Sequence, residues 1–175
     1  EKTIVKLIYS SNFLYVSAVC YDSNPNGIVI SDSRRDAPLN NTDSFMFVLD
    51  TFKDQQNGYV FGTNAAGIEY DAQVIGGDGM SMNSSRQSVG VGANLNINWD
   101  ASWEVKTIIG DFGWSAEFAI PFKTLRFSSQ ENQNWGINFQ RNIAQKNEQS
   151  FWAPIPRQFS LNRLSLAGNV TGINI

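Results

Sequence analysis

The chain has 175 residues, of which 42% are hydrophobic and 13% aromatic, and its formal net charge is −3. This length supports one substantial core, so a single domain over residues 1–175 is expected. The 13 basic residues are scattered and form no basic stripe, which excludes nucleic acid as an expected partner. No apolar run reaches the roughly 20 residues that a membrane-spanning helix needs.

Period-two alternation with aromatic and β-branched enrichment predicts an all-β fold, an antiparallel β-sandwich, with almost no helix. Strands are expected at Thr3–Tyr9, Phe13–Asp22, Asp43–Leu49, Tyr59–Thr63, Ile68–Ile75, Val89–Asn98, Trp103–Ile109, Trp114–Ile120, Trp135–Arg141 and Leu164–Val170. The Gly- and Ser-rich segment Gly76–Ser88 is expected to form a long surface loop. Pro121 is expected to open one short helical turn in PFKTLRF.

The composition argues against an enzyme. There is no histidine, which removes Ser-His-Asp triads, Cys-His pairs and histidine-ligated metal sites. Glu117 faces away from the apolar side of its strand and has no partner acid nearby in sequence, so a glycosidase pair is not predicted. We expect no catalytic residues, and a cross-strand ion pair between Glu117 and Arg141 is one structural interpretation of both charges.

Two further groups of residues favour structural interpretations. Asp50, Asp54 and Asn57 crowd one loop and offer oxygen ligands for calcium, although the same residue types are typical of a plain turn. We therefore predict no metal site and keep calcium as an alternative. Cys20, the single cysteine, alternates with apolar residues and is expected to be a small buried hydrophobe.

The five tryptophans are the best candidates for ligand contact, because an exposed indole ring stacks on the apolar face of a sugar. Trp114 and Trp135 begin strongly patterned strands and are expected in the core. Trp99, Trp103 and Trp152 stand near predicted loops or strand ends, where both packing and ligand contact remain open.

Several segments, in their order and spacing, carry a resemblance to a known family. They are FLYVSAVCYD at Phe13–Asp22, DSFMFVLD at Asp43–Asp50, GYVFGTN at Gly58–Asn64, WSAEFAIPFKTLRF at Trp114–Phe127 and WGINFQR at Trp135–Arg141. With these segments the chain resembles carbohydrate-binding module family nine, which is related to the DOMON-like β-sandwiches. The resemblance implies a jelly-roll-like sandwich and a non-catalytic module that binds an oligosaccharide or polysaccharide.

A narrower resemblance is carried by RRD at Arg34–Asp36, LRF at Leu125–Phe127 and WAPIPR at Trp152–Arg157. These motifs are similar to the N-terminal domain of bacterial envelope proteins in which such a module precedes an outer-membrane-type β-barrel. The resemblance implies a Gram-negative envelope location, periplasmic or associated with the outer membrane. It also implies that residues 1–175 are a piece of a larger polypeptide whose C-terminal barrel is a partner of this accessory module.

The chain departs from the family at the sugar-contacting positions. The first clamp tryptophan falls on Asn40, a glutamate on Met46, an arginine on about Gly62, and the second tryptophan near Phe159, while Gln140 is retained with Asn138 beside it. The inherited clamp is therefore expected to be inactive, and sugar is expected at a different site around Trp152, Phe159 and the 76–88 loop. The candidate ligand-binding residues are Gln140, Asn138, Trp152, Phe159, Asn40, Met46 and Asn64.

Two functions from different classes follow. The first is a carbohydrate-binding accessory module, and the alternative is a structural or protein-interaction domain that has lost its sugar site. Haem binding, known in some DOMON-like relatives, is disfavoured by the missing histidines, although Met46, Met80 and Met82 offer a formal ligand. No cofactor is therefore predicted.

Overall fold

A computed structural model describes residues 1–77 and 95–175, and these residues form two antiparallel sheets. Their strands are β1 (Thr3–Tyr9), β2 (Phe13–Tyr21), β3 (Ser44–Asp50), β4 (Gly58–Asn64), β5 (Tyr70–Val74), β6 (Leu95–Asn96), β7 (Glu104–Gly110), β8 (Gly113–Pro121), β9 (Asn132–Ile143), β10 (Glu148–Phe151) and β11 (Gly168–Asn174). The prediction of an all-β sandwich is confirmed. Within the same ranges, no helix is long and apolar enough to cross a bilayer.

The first sheet has the strand order β1-β2-β8-β7, and the second has the order β10-β9-β3-β4-β5-β6. The twelve-residue strand β9 pairs with β3 along one edge and with both β10 and β11 along the other. One side of the sandwich is therefore bordered by β1 of the first sheet and by β10 and β11 of the second.

The core lies between the two sheets because alternate residues of each strand are apolar. Those of β2 are Leu14, Val16, Ala18 and Cys20, and those of β8 are Trp114, Ala116, Phe118 and Ile120, all fully buried. Burial raises the pKa of the Cys20 thiol to about 12, so this cysteine is the small buried hydrophobe that its position predicted.

Aromatic rings hold the two sheets together. Phe118 of the first sheet meets Phe47 of the second edge-on, with 5.1 Å between ring centroids, and stacks on Trp103 at 5.6 Å. The Trp103 Nε1–H donates to buried Asp71 at 2.7 Å, and Arg35 of the RRD motif donates to the same carboxylate at 2.9 Å. Trp103 is therefore a packing residue, as are Trp114 and Trp135.

The predicted strands are wrong in several places, since most boundaries shift by one to three residues and two differences change an element. Leu164–Val170 was expected as one strand, but Leu164–Leu166 form a 3₁₀ turn, and Leu164 packs on the second sheet. Strand β11 begins only at Gly168. The short strand β10 is not predicted, since EQSF has no apolar alternation. The strand expected from Ile68 begins at Tyr70.

The 3₁₀ turn at Phe122–Thr124 confirms the short helical turn that was expected after Pro121. Two further expectations concern residues that the structure mostly does not describe. The expected loop at Gly76–Ser88 and the expected strand at Val89–Asn98 fall mostly on residues 78–94, which the structure does not describe.

The expected ion pair between Glu117 and Arg141 is wrong, because their strands belong to different sheets. Glu117 is exposed on the outer face of the first sheet, opposite Lys106 and Ser17. Arg141 faces the interior and donates to the carbonyl oxygens of Lys2 and Tyr21 at 3.1 and 2.8 Å. It therefore ties β9 to the beginning of β1 and the end of β2.

Two glycines with positive φ allow a test of packing at the β2–β8 junction. Gly113 (φ +121) has no room for a Cβ, which would overlap the Cys20 carbonyl oxygen and lie 2.8 Å from the Asp22 nitrogen, whereas Gly172 (φ +85) has nothing within 4 Å. Gly172→Ala should lower the free energy of unfolding by about 1 kcal/mol through backbone strain alone. Gly113→Ala should lower it by about 3 kcal/mol or more, because the clash adds to the strain. Urea unfolding measures both, and equal losses would contradict the clash.

Candidate functional site

The pairing of β3 with β9 brings three of the predicted ligand-binding residues together on the outer face of the second sheet. Met46 stands opposite Gln140 on one side and Gly62 on the other. Asn40 lies beside Met46, since both line a small pocket of about 130 Å³. The positions at which the sequence resemblance implies a sugar site are therefore neighbours in space.

This implied sugar site is filled by apolar side chains. A Cβ at Gly62 would lie 2.7 Å from Leu39 Cδ1 and 2.9 Å from Met46 Cγ, so no side chain fits there. Leu39 belongs to a small apolar cluster against which Met46 and Tyr70 pack. The pocket of about 130 Å³ that remains is smaller than the 300–1,000 Å³ typical of ligand sites.

Amide side chains beside this cluster are bound to one another. Asn142 Oδ1 accepts from Gln140 Nε2 at 3.0 Å and from Gln149 Nε2 at 3.1 Å. Its Nδ2 donates to the Leu39 carbonyl at 3.0 Å and to Ser44 Oγ at 2.9 Å. Gln140 is 8% exposed, so this network fixes its amide rather than presenting it to solvent.

Asn138 and Asn64, also predicted to bind ligand, hold loops. Asn138 Nδ2 donates to the Ala153 carbonyl at 3.0 Å, and its Oδ1 accepts from the Ala153 N–H at 2.8 Å. Asn64 Nδ2 donates to the Asp32 carbonyl at 2.7 Å, and its Oδ1 accepts from the Ala66 N–H at 3.0 Å. Both residues are fully buried, and their amides have no capacity directed at solvent.

The two aromatic candidates pack against other side chains, although Trp152 and Gln140 line one common depression. Phe159 is half-buried, with the Arg163 guanidinium 4.4 Å from its ring centroid. Trp152 is 58% exposed, meets Phe139 edge-on at 5.7 Å, and lies so close to Gly168 that a Cβ there would overlap its ring. Since Phe151 is the β10 residue opposite Gln140, alternation directs Trp152 away from that face.

Trp152 instead borders a second depression, which we term the edge cleft. It has a volume of about 640 Å³ and lies between β1 and the β10–β11 edge. Its lining is mostly apolar and includes Val5, Leu7, Phe139 and Val170.

A more polar depression, here the amide depression, lies at the end of the second sheet next to Asn40. It has a volume of about 380 Å³ and is lined by Val29, Asn40, Asn41, Asn142, Ile143, Ala144, Asn147, Glu148 and Gln149. Of its five amide side chains, only that of Asn40 was predicted to bind ligand. The cluster escapes sequence reasoning because the β3–β9 and β9–β10 pairings bring together residues from distant parts of the chain.

Asp43 positions the loop that forms one wall of the amide depression. The Val29 N–H donates to Asp43 Oδ2 at 2.8 Å, and the Asp43 N–H donates to the Val29 carbonyl at 2.9 Å. Thr42 Oγ1 donates to the same carbonyl at 2.8 Å. Burial raises the pKa of the Asp43 carboxyl, although the Val29 hydrogen bond and the charge of Arg141 act in the opposite direction.

The carboxylates considered for calcium serve the backbone of their own loop. Asp50 accepts from the N–H groups of Asp54 and Gln55 at 3.1 and 2.9 Å, and Asp54 accepts from those of Gln56 and Asn57 at 2.7 and 2.9 Å. Among the described residues, no three acidic or cysteine side chains are grouped to hold a metal ion.

Comparison with known proteins finds a similar solved structure but no matching family. No protein-family model matches the chain, and no curated protein matches it. A crystal structure of a "putative carbohydrate-binding protein" from Bacteroides uniformis is similar with a TM-score of 0.65, covering 97% of this chain and 78% of that chain at 12% identity. At this identity the match shows the fold alone, which is a β-sandwich.

The raised pKa of Asp43 sets the sign of a pH effect. In the unfolded chain the pKa of an aspartate is about 4, and in the folded protein the pKa of Asp43 is higher. The Asp43 carboxyl group therefore contributes stability at low pH that is lost as the pH rises through the folded pKa. The free energy of unfolding of the wild type, relative to Asp43→Asn, should therefore fall as the pH rises from 4 toward 7. Urea unfolding from pH 4 to 8 measures this difference.

Asp54→Asn is the matched control. Burial raises the pKa of Asp54, but hydrogen bonds from Asn57 and Gln56 lower it by more. The stability that Asp54 contributes is therefore complete above the unfolded pKa, near 4, and this comparison should stay nearly constant from about pH 5 to pH 8. A difference between wild type and Asp43→Asn that is constant with pH would contradict the account of Asp43.

Proposed function

We propose that the protein is a non-catalytic module that binds neutral oligosaccharide or polysaccharide chains through the amide depression. The observation that carries this proposal is the convergence of five amide side chains on one open depression of about 380 Å³. Three of them, Asn40, Asn41 and Asn147, are exposed, and their side chains have no hydrogen-bond partner among residues 1–77 and 95–175.

The chemistry of the depression suits sugar hydroxyl groups. A primary amide both donates and accepts, so it can pair with a hydroxyl in either orientation. The exposed Val29 adds apolar surface for the C–H groups of a sugar ring. The volume falls within the range of ordinary small-molecule sites.

Charge favours an uncharged glycan. No Lys or Arg lines the amide depression, and its one charged residue is Glu148. The formal net charge of the protein is −3. Uronic acids and sulfated sugars would thus meet repulsion without a compensating cation.

The proposal also includes a cellular location and a larger parent polypeptide. The fold shared with the B. uniformis protein supports a carbohydrate-binding role but identifies no glycan. Location in a Gram-negative envelope, as an accessory part of a larger polypeptide with a C-terminal barrel, is supported by the RRD and WAPIPR motifs. Cell fractionation of the source organism with an antibody against this module tests the location.

Binding should be measured by calorimetry against neutral oligosaccharides of glucose, xylose, mannose and N-acetylglucosamine, with calcium and with EDTA. Asn40→Ala and Asn41→Ala should each weaken binding of the recognised sugar about fivefold, since one hydrogen bond is worth about 1 kcal/mol. Asn169→Ala removes an exposed amide outside the depression and is the matched control. An equal effect in all three variants, or no binding across the panel, would contradict the proposal.

Asn40→Trp should strengthen binding of the same sugar. The position borders the amide depression, and an exposed ring there adds a stacking surface worth about 0.5–1.5 kcal/mol, or a roughly two- to tenfold gain. Tryptophan fluorescence titration of this variant against wild type measures the gain. Unchanged affinity would indicate that the sugar lies away from Asn40.

A further inference from the structure

We propose that the edge cleft binds an extended strand of a partner polypeptide, which pairs with β1 and adds a fifth strand to the first sheet. The cleft is open, has a volume of about 640 Å³, and exposes core side chains at the border of both sheets. This site is separate from the amide depression, so the proposal does not depend on sugar binding.

The free edge of β1 presents main-chain groups at regular intervals. The Lys2 carbonyl accepts from Tyr21 N–H at 3.0 Å, and the Ser10 N–H donates to the Phe13 carbonyl at 2.9 Å. In an antiparallel pair, bonded residues alternate with residues whose N–H and C=O point the other way. Thr3, Val5 and Leu7 therefore direct these groups to the side opposite β2, where no strand pairs with β1 in the described part of the chain.

Strand β11, across the cleft from β1, is protected from the addition of a further strand, and β1 is not. In β11 the register shifts between Thr171 and Ile173, at Gly172 with φ +85, and such bulges prevent regular pairing. By contrast, β1 pairs with β2 in one unbroken register over seven residues and contains neither proline nor glycine. An unprotected regular edge is the feature that strand addition requires.

The side chains of the cleft define what the incoming strand carries. Val5, Leu7 and Val170 pack against the main core yet remain half-buried, and Trp152 stands largely exposed at the border. An added strand would direct every second side chain onto this surface. Apolar residues at those alternate positions would bury the exposed core.

Charge in the cleft points to a neutral segment. Glu1 pairs with Lys146, and the Arg141 guanidinium lies 3.9 Å from the buried Asp22 carboxylate and donates to the Lys2 and Tyr21 carbonyls. Neither requires a charged partner. The favoured occupant is thus an extended peptide of about seven to nine residues with valine, isoleucine or phenylalanine at alternate positions and no proline.

The test uses a nine-residue synthetic peptide with blocked ends, in which valine and phenylalanine alternate with threonine and serine, so that it carries no net charge. Amide hydrogen exchange of the protein is followed by NMR with and without the peptide. Exchange should slow at least tenfold at Val5 and Leu7, whereas Ile4 and Lys6, already bonded to β2, should change less than twofold. This alternate pattern distinguishes strand pairing from general protection of the cleft.

Two controls decide the mode of binding. A peptide with N-methylated amides at two of its valines should bind at least tenfold more weakly, because in an antiparallel pair the cleft-facing residues are the ones whose N–H groups bond to Val5 and Leu7. Leu7→Ala, which faces the cleft, should weaken binding at least fivefold, and Ile8→Ala, exposed on the outer face, less than twofold. Asn41→Ala should leave peptide binding unchanged.

Four results would overturn the proposal. They are equal binding of the N-methylated peptide, absence of the alternate protection pattern at β1, a dimer in sedimentation velocity whose interface protects Val5 and Leu7, and protection of the same amides by a neutral oligosaccharide. The third would assign the edge to a second copy of this chain, and the fourth would assign it to a glycan.

Discussion

The register between β3 and β9 is the constraint on which both candidate surfaces depend. It places Phe45 and Phe47 in the core and directs Met46 to the outer face, opposite Gln140. Because side chains alternate along a strand, a shift of one residue would exchange these faces. The same pairing sets Asn142 opposite Ser44, and so determines where the amide network forms.

Alternation in the sequence predicts the sandwich well because its strands bury one face each. Trp114 to Ile120 and Phe13 to Cys20 show this pattern, and both segments form central strands of the first sheet. The same reasoning misses β10, whose residues are almost all polar and exposed, since an edge strand held by main-chain bonds leaves no hydrophobic period. The turn at Leu164 is missed because its leucine packs through tertiary contact rather than by alternation.

Sites are harder to predict than strands because they depend on relations between segments. Residue types identify Asn138 and Asn64 as ligand candidates, yet both amides are consumed by nearby backbone groups. Asn41 and Asn147 carry no signal alone, and their convergence follows from the folded positions of two loops. At Gly62, packing by Leu39 and Met46 removes the space in which a polar contact could form, which no local pattern reveals.

The buried thiol of Cys20 has a further consequence. Its side chain is fully enclosed and its pKa is about 12, so in the native state it has almost no thiolate and no access to reagents. It lies in the core near the end of β2, so it becomes reactive only when this part of the sandwich opens. The rate at which a thiol-specific dye modifies the chain therefore measures how often the core opens around Cys20. While the fold is intact, neighbouring copies cannot be cross-linked through this cysteine by oxidation.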